Sequence, residues 1–388
     1  MRRLILKVGK AVTPAQELRR VAIIIEQDRI KEVVPWSDIP RDEDVLSYPD
    51  AIATPGFIDI HTHGYGGRDA TSGGGAHLEG MSKSLLKHGV TSFLPTTVTA
   101  LQDVLLTVCD ALRNVIGENE KGAEILGLHL EGPHVGRGKE AGAQNVEFAR
   151  DPDVEELEGL VEASGGNIRR VTLAPELLGA LEYIKRAREL GIVVAAGHTN
   201  ATYEEAVAGF DAGITICNHL FNGMRLFHHR EPGIIGACLV RDDVYAEMIA
   251  DMIHLHPTAI NMAIKAKSLE KTILITDAIA ETGLSDGEYK LGGLETVVKD
   301  GVSRIKATGR LAGSTLTMDL AVKNMVTELN LDLKDAVRMA TSNPADALNL
   351  SDRGCLVPGC VANVTIFDSG LNVLATIVKG KVLYEAAW

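Results

Sequence analysis

Long hydrophobic runs and an excess of basic residues are both missing from this sequence, and aromatic residues are scarce at 4%. The longest apolar runs, such as residues 21–25, fall far short of the roughly 20 residues that cross a bilayer. Lys7 and Lys10 interrupt the apolar stretch that an N-terminal export signal would need. The 39 basic residues face 52 acidic ones, and the net charge of −13 repels polyanions at long range. We therefore expect a soluble cytoplasmic protein with neither a nucleic acid nor a membrane as partner.

Cysteine is also sparse and carries no paired motif. The five cysteines are an odd number, widely scattered, with no CxxC pair among them. Reduced, mostly buried thiols are the expectation for such a chain. Cys355 and Cys360 bracket a Pro-Gly turn and could meet across it, but a disulfide or metal role there is the less favoured interpretation.

The length and the ends of the chain bear on its domain organisation. A chain of 388 residues with 45% hydrophobic and 23% charged residues can bury a large core. Short segments of β type occur near both termini, at residues 4–8, 21–27 and 29–34 and again at 363–367, 374–378 and 381–384. We predict that residues 1–54 and 357–388 form one small β-sandwich domain.

The middle of the chain alternates short β-rich runs with longer stretches of helical period, for example 77–88, 102–116, 178–190 and 203–212. This alternation is typical of an α/β protein with a parallel sheet. Eight such units predict a (β/α)₈ TIM-like barrel over residues 55–356. A doubly wound open sheet is the alternative, and it is disfavoured because polar residues recur where successive strands end. The predicted strands are 57–61, 91–95, 125–130, 171–174, 192–196, 214–218, 245–250 and 272–276.

The polar residues at the strand ends are those that bind metals or transfer protons. His61 and His63 lie at i and i+2 of the first strand, so both imidazoles project to one face. Alone, this pair is slightly better explained as two polar residues at a strand end. Comparable residues follow four further strands, however, and nitrogen and oxygen donors gathered at one barrel mouth favour a divalent metal site. These further residues are Glu131, His198, His219 and Asp277.

A series of motifs places these residues in a wider pattern. In chain order they are PGFIDIHTHG, HLEGPH, GHT, NHLFNGM, REPG, ILITDA and LAGS. With them the whole chain, including its terminal β segments, resembles the amidohydrolase superfamily and, within it, the N-acetylglucosamine-6-phosphate deacetylases. HxH alone would be weak support. The ordered set is specific, and EGP, NHLFNxM and REPG distinguish this family from other amidohydrolases.

The resemblance implies a site and a cofactor. It implies one or two divalent metal ions, most simply Zn²⁺, with Glu131, His198 and His219 at the principal site and His61 and His63 at an additional one. It implies that Asp277 is the general base and acid. The positions that would hold the sugar phosphate are Ala143, Asn222, Gly223, Arg230, His254, Leu311, Ala312 and Gly313.

The implied reaction is hydrolysis of N-acetyl-D-glucosamine 6-phosphate to D-glucosamine 6-phosphate and acetate, in amino-sugar catabolism. A metal ion would activate the attacking water, and Asp277 would take its proton and return it to the leaving amine. Arg230 is the phosphate candidate because a guanidinium grips phosphate through two parallel hydrogen bonds. In the family this arginine and the counterpart of His254 reach a neighbouring subunit, which implies a homodimer.

One position departs from the family pattern. After the EGP turn, members usually read Gly-Ala-His-Asn, with a histidine that polarises the substrate carbonyl, whereas this chain has Gln144. A glutamine amide can donate a hydrogen bond but cannot become cationic. Gln144 is therefore the second catalytic candidate, and His134 is a possible substitute for the missing imidazole.

Two other readings remain open. One is a different amidohydrolase, acting on another N-acyl sugar phosphate such as N-acetylgalactosamine 6-phosphate or on a cyclic amide. The other is a metal-bound sensor that recognises the sugar phosphate without turnover. Asp277 argues against a sensor, since a binding protein needs no group to transfer protons.

Overall fold

The N-terminal part of the chain forms four strands that pair with one another. The computed structural model describes residues 3–40, 45–117 and 121–387. β1 pairs antiparallel with β2, β2 pairs antiparallel with β3, and β1 also pairs in parallel with β4. A 3₁₀ turn, Trp36–Asp38, follows β3. The strands are β1 (Arg3–Val12), β2 (Glu17–Glu26), β3 (Arg29–Pro35) and β4 (Leu46–Pro55).

The following region contains a parallel barrel. Its strands, in chain order, are β5 (Phe57–Thr62), β6 (Gly64–Tyr65), β7 (Arg68–Asp69), β8 (Val90–Thr97), β9 (Glu124–Ile125), β10 (Leu128–Glu131), β11 (Ile168–Leu173), β12 (Val193–Ala196), β13 (Ile214–Cys217), β14 (Tyr245–Ile249) and β15 (Thr272–Ile275). Eight of them pair in the order β15-β14-β13-β12-β11-β10-β8-β5. β9 also pairs in parallel with β8, and β6 and β7 form a separate small hairpin. Backbone hydrogen bonds from Asp277 N to His61 O (2.9 Å) and from His63 N to Ala278 O (2.7 Å) bring the last strand back to the first.

Helices connect and surround the barrel strands. Most bury one face against the sheet, and α5 begins with a reciprocal capping box between Thr202 and Glu205. Short 3₁₀ turns lie at Leu86–His88, Lys139–Ala141, Val146–Phe148 and Leu269–Lys271. The helices are α1 (Gly74–Leu85), α2 (Gln102–Val115), α3 (Val154–Ala163), α4 (Ala180–Glu189), α5 (Tyr203–Ala212), α6 (Gly233–Val240), α7 (Pro257–Lys267), α8 (Met318–Thr327), α9 (Leu333–Ala340) and α10 (Ser342–Ala347).

The predicted barrel is confirmed. All eight predicted strands are present, although a Gly127 turn with φ of 140° divides the third into β9 and β10. Their residues are almost entirely buried, as expected where helices cover the outside of a barrel and side chains fill its interior. In such a barrel the carboxyl ends of all strands open on the same face.

A three-stranded antiparallel sheet, absent from the sequence-based prediction, follows β15. It consists of β16 (Gly287–Leu291), β17 (Leu294–Lys299) and β18 (Val302–Ile305). Leu291 and Ile305 from this sheet pack with Val98, Ile279 and Ala312 in a separate buried apolar cluster. The inserted sheet is thereby held against loops at the mouth of the barrel.

The end of the chain returns to the N-terminal strands. The last strands are β19 (Val364–Phe367), β20 (Val373–Val378) and β21 (Lys381–Glu385). Together the seven terminal strands form one sheet in the order β21-β20-β19-β4-β1-β2-β3, with one shared apolar cluster. The prediction of a separate small β unit built from both termini is confirmed, but its strands form one continuous sheet and not the two sheets of the predicted sandwich. The domain boundaries at 54/55 and 356/357 stay a prediction.

The expectation for Cys355 and Cys360 is wrong. The two form a disulfide with their Cα atoms 6.3 Å apart, while Cys109, Cys217 and Cys238 are free and buried. The intervening turn closes because Gly359 has a φ of 91°, which glycine adopts readily. Ile30 fixes the turn through hydrogen bonds to the backbone of Gly359 and Cys360, both 2.9 Å.

None of the described helices has both the length and the apolar character needed to span a membrane. The cytoplasmic location stays a prediction.

Candidate active site

The predicted histidine pair lies at the end of the first barrel strand, fully buried. His61 is the penultimate residue of β5, and His63 directly follows the strand. The Nδ1 atom of His61 is 3.2 Å from Glu247 Oε2, and that of His63 is 3.0 Å from the carbonyl oxygen of Thr96. Each ring is thus held from behind by an oxygen acceptor.

Glu131, the last residue of β10, is the point at which the imidazoles meet. Its Oε1 lies 3.3 Å from His61 Nε2, 3.3 Å from His198 Nε2 and 3.1 Å from His219 Nε2. Its Oε2 lies 3.4 Å from His63 Nε2. Imidazoles from three strand ends, spread over the sequence from His61 to His219, therefore share one carboxylate at the end of a fourth strand.

The orientation of the four rings suits a metal ion. His198 Nδ1 faces the carbonyl oxygen of Glu140 at 3.1 Å, and His219 Nδ1 faces that of Asn222 at 3.0 Å. With the first pair, all four rings have Nδ1 directed at an oxygen, so in the neutral state Nδ1 carries the hydrogen and Nε2 offers its lone pair to the centre. The Nε2 atoms of His198 and His219 are 3.2 Å apart, and His61 Nε2 has no hydrogen-bond partner among the described residues. Converging lone pairs of this kind fit a divalent cation.

Two groups of donors are compact enough to hold an ion, each with its ligand atoms within 4.8 Å of one another. His198 belongs to neither group, but its Nε2 lies 3.3 Å from Glu131 Oε1 and 3.2 Å from His219 Nε2. The groups are His61 with Glu131 and His219, and His61 with His63 and Asp277.

Asp277 lies two residues beyond the end of β15 and faces the same centre. Its Oδ1 is 3.0 Å from His63 Nε2 and 3.5 Å from His61 Nε2. Burial opposes ionisation of this carboxyl, but the hydrogen bond from His63 and the neighbouring imidazoles outweigh burial and lower its pKa to about 2. Asp277 is therefore ionised at neutral pH and able to accept a proton.

The same balance of forces governs the other groups of the cluster. Burial disfavours the charged form of Glu131, yet the charges of His61 and His198 hold its pKa well below the ordinary range. Burial likewise opposes protonation of His61, but Glu131 and the carboxylates of Glu247 and Asp277 raise its pKa to about 9. Without a cation, the neighbouring carboxylates raise the pKa values of His61, His63 and His198 and so favour protonation of these three rings.

Gln144 lies beside Glu131, and its amide is fixed at both ends. The backbone N–H of Thr99 donates to Oε1 at 2.7 Å, while Nε2 donates to Glu131 Oε2 at 2.6 Å and lies 3.4 Å from His198 Nε2. His134 is not in this cavity: its ring packs edge-on against Tyr183, and its Nδ1 faces the carbonyl oxygen of Arg150 at 3.3 Å. The suggested substitution of His134 for the missing histidine therefore has no support in the geometry.

A cavity that is open to solvent lies above these donors. Several of the predicted substrate-binding residues line it, namely Ala143, Asn222, Gly223, His254, Leu311 and Gly313. Ala312 is fully buried and packs beneath the cavity instead. Arg230 is exposed outside it, with Nη1 2.8 Å from His229 Nε2, and no lysine or arginine is among the described residues that line the cavity.

Some residues of the site were not identified from the sequence. Asp251 holds His254 through a 2.6 Å contact between Oδ2 and Nδ1, and Leu291 of the inserted sheet contributes to the cavity wall. Glu247 and Arg170 lie fully buried inside barrel strands. Glu247 was visible in the sequence as the one charged residue of the YAEMI strand, whereas Arg170 adjoins a second arginine, Arg169, and nothing in the sequence indicated Leu291.

Comparison with known proteins agrees with this architecture. Residues 52–383 match the model of the amidohydrolase family, and the chain belongs to that family, whose members are metal-dependent. Within it, the chain is similar to N-acetylglucosamine-6-phosphate deacetylase of Lysinibacillus sphaericus, at 39% identity over 84% of both chains. It is also similar to N-acetylgalactosamine-6-phosphate deacetylase of Escherichia coli O157:H7, at 38% identity over 90% of this chain and 91% of the relative.

A solved structure extends the likeness to three dimensions. A variant of the N-acetyl-D-glucosamine-6-phosphate deacetylase of Mycobacterium smegmatis, in complex with N-acetyl-D-glucosamine-6-phosphate, superposes with a TM-score of 0.92. The two are 35% identical, and the match covers 99% of this chain and all of that one.

Proposed function

We propose that this chain hydrolyses N-acetyl-D-glucosamine 6-phosphate to D-glucosamine 6-phosphate and acetate, in amino-sugar catabolism. The observation that carries the proposal is the convergence of four imidazoles and two carboxylates at the floor of one cavity. The similarity to deacetylases of N-acetylated hexosamine 6-phosphates supports the substrate class.

We assign the principal metal site to Glu131, His198 and His219, and an additional site to His61 and His63. Imidazole and carboxylate donors suit zinc among the divalent ions, and we propose Zn²⁺. When bound, such an ion lowers the pKa of a water molecule towards neutrality and polarises the substrate carbonyl.

We assign the proton transfers to Asp277. Its carboxylate is ionised at neutral pH and its Oδ1 faces the donors of both groups, so it is suited to accept a proton from the attacking water. The same oxygen then returns that proton to the leaving nitrogen. One carboxylate therefore serves as base and then as acid.

Gln144 replaces an imidazole with a neutral amide. One hydrogen of its Nε2 binds Glu131, and we assign the second to the oxygen of the substrate acetamide, where it stabilises developing negative charge. Thr99 prevents the amide from turning over, because its backbone N–H requires an oxygen at the other end. This arrangement supplies a hydrogen bond without a titrating group.

The sugar phosphate requires a cation that the cavity lining does not provide. We propose that Arg230 of a second copy supplies it, in a homodimer, while Asn222, Gly223, His254 and the segment 311–313 hold the sugar. Exposed apolar side chains next to Arg230, Leu226 at 81% and Phe227 at 55% exposure, support burial of this segment in a dimer.

The galactosamine epimer is the second candidate, because one relative at 38% identity is an N-acetylgalactosamine-6-phosphate deacetylase. The test is release of acetate from both 6-phosphates, and from unphosphorylated N-acetylglucosamine, by protein whose metal content is measured. We expect a higher kcat/KM for the glucosamine 6-phosphate, a large loss without phosphate, and a loss of activity with a chelator. Equal kcat/KM with and without the phosphate would contradict the assignment, and binding without acetate release would favour a sensor.

A further inference from the structure

A buried ion pair lies directly beneath the metal-binding donors. Arg170 of β11 is among the largest fully buried side chains, and Glu247 of β14 is equally inaccessible. The guanidinium Nη1 donates a short hydrogen bond to Glu247 Oε1 and another, of 3.2 Å, to the carbonyl oxygen of Ile60. None of the reaction steps assigned above uses either residue.

Glu247 connects this ion pair to two of the metal-binding histidines. Its Oε2 lies 3.2 Å from His61 Nδ1, and it also accepts the backbone N–H of His219 at 3.4 Å. The first contact fixes the hydrogen of His61 on Nδ1 and directs Nε2 to the centre. The second holds the chain at the start of the turn that carries the His219 ring.

The other side of the guanidinium reaches the shared carboxylate. Nη2 donates to Asn218 Oδ1, and Asn218 Nδ2 in turn donates to Glu131 Oε1 at 3.1 Å and to Thr172 Oγ1 at 2.9 Å. The planar fork of Arg170 therefore holds Glu247 with one nitrogen and Asn218 with the other. Glu247 links Arg170 to His61 and His219, and Asn218 links it to Glu131.

A contribution to stability does not by itself account for this arrangement. A buried ion pair costs so much desolvation that well-packed apolar residues in its place are often as stable or more so. The pair has no net charge, so it does not attract a cation by its field either. What apolar residues could not provide is a directed acceptor for His61 and, through Asn218, a directed donor for Glu131.

We infer that Arg170 and Glu247 are positioning residues that set the geometry of the metal-binding group from below. The inference rests on the proposed function only in taking His61, Glu131 and His219 as metal ligands. Losing partners of this kind typically lowers metal affinity by about 10- to 100-fold.

The test measures Zn²⁺ affinity by competition with a chelator, on full-length protein without substrate. Glu247→Gln keeps the size of the side chain and removes its charge, and we expect Zn²⁺ affinity to fall by about 10- to 100-fold. Glu124→Gln is the matched control. It removes the charge of Glu124, a residue of β9 whose ion pair with Arg353 (2.8 Å) lies outside the cavity, and it should leave the affinity unchanged.

A double variant separates positioning from stability. Replacing both charges, as Arg170→Met with Glu247→Leu, removes the unpaired charge that a single variant leaves behind, so the denaturation midpoint should recover. The positioning role requires that Zn²⁺ affinity stay low in this double variant. Recovery of affinity together with stability would overturn the inference, as would unchanged affinity in Glu247→Gln. Wild-type protein that binds Zn²⁺ tightly but releases no acetate would contradict the proposed function and leave this inference standing.

Discussion

At the scale of single residues, the site depends on where protons reside in a cluster of acids and imidazoles. Each ring has Nδ1 against an oxygen, which leaves Nε2 for the centre. Asp277 differs from Glu131 in having neither an amide nor a backbone donor to hold its second oxygen among the described contacts. This difference agrees with a role for Glu131 in binding the ion and a role for Asp277 in transferring the proton.

Replacing Asp277 tests that division of roles. For Asp277→Asn we expect kcat to fall by about 10²- to 10⁴-fold, the usual contribution of a general base, while Zn²⁺ remains bound at Glu131, His198 and His219. The measurement is acetate release with metal analysis of the same sample. Asp319→Asn, which removes a carboxylate charge 3.0 Å from His88 outside the cavity, is the control and should keep wild-type turnover. Undiminished acetate release by the Asp277 variant would refute the role.

The pKa of His61 predicts that metal binding expels protons. A pKa of about 9 means that the metal-free protein carries a proton on this ring near pH 7, and an ion must displace it to reach Nε2. Adding Zn²⁺ in weak buffer should therefore release protons, which a pH indicator records. His61→Asn should release about one fewer.

The sign of the accompanying stability effect follows from the same shift. Because the folded state raises the pKa of His61 from 6.5 to about 9, its contribution to the unfolding free energy of the metal-free protein is complete below pH 6.5 and is lost as pH rises through about 9. Both predictions depend on the raised pKa of His61. Binding of Zn²⁺ near pH 7 without release of protons would contradict that raised pKa.

At the scale of secondary structure elements, the barrel could be predicted because its strands are buried apolar runs separated by helical periods. β4 was missed because Pro49 and Pro55 interrupt its pattern, and it pairs with strands from both ends of the chain. The inserted sheet β16–β18 was missed because a helix was expected after each barrel strand. The metal-binding candidates could be predicted from the polar residues at the strand ends. The position of Arg230 outside the cavity could not, because it lies in a loop between β13 and α6 whose sequence has no hydrophobic period.

The disulfide is an element-scale feature with a measurable effect. It closes a short loop between Cys355 and Cys360, and the chain-entropy account assigns such a loop a stabilisation of about 2 kcal/mol. We expect dithiothreitol, or the double variant Cys355→Ser with Cys360→Ser, to lower the unfolding free energy in urea by about that amount. Dithiothreitol should have no further effect on the double variant. Equal stability of the oxidised and reduced wild-type proteins would contradict the prediction.

At the scale of the whole molecule, the cavity of one chain lacks the cation that its proposed substrate needs. If Arg230 acts in a partner's cavity, mixing Arg230→Ala with Asp277→Asn subunits should restore activity, because one site in each mixed dimer then has both residues. Random exchange of subunits gives about one quarter of the wild-type sites. A mixture no more active than its components would place Arg230 in its own chain's site or outside the reaction.

The central claim is that donors from distant parts of the sequence form one metal centre, and anomalous diffraction at the zinc edge tests it most directly. Crystals grown with Zn²⁺ should show a peak at the floor of the cavity, within bonding distance of Glu131, His198 and His219, with a second peak beside His61 and His63 if both sites fill. Zinc bound elsewhere on the chain, with that floor empty, would contradict the account.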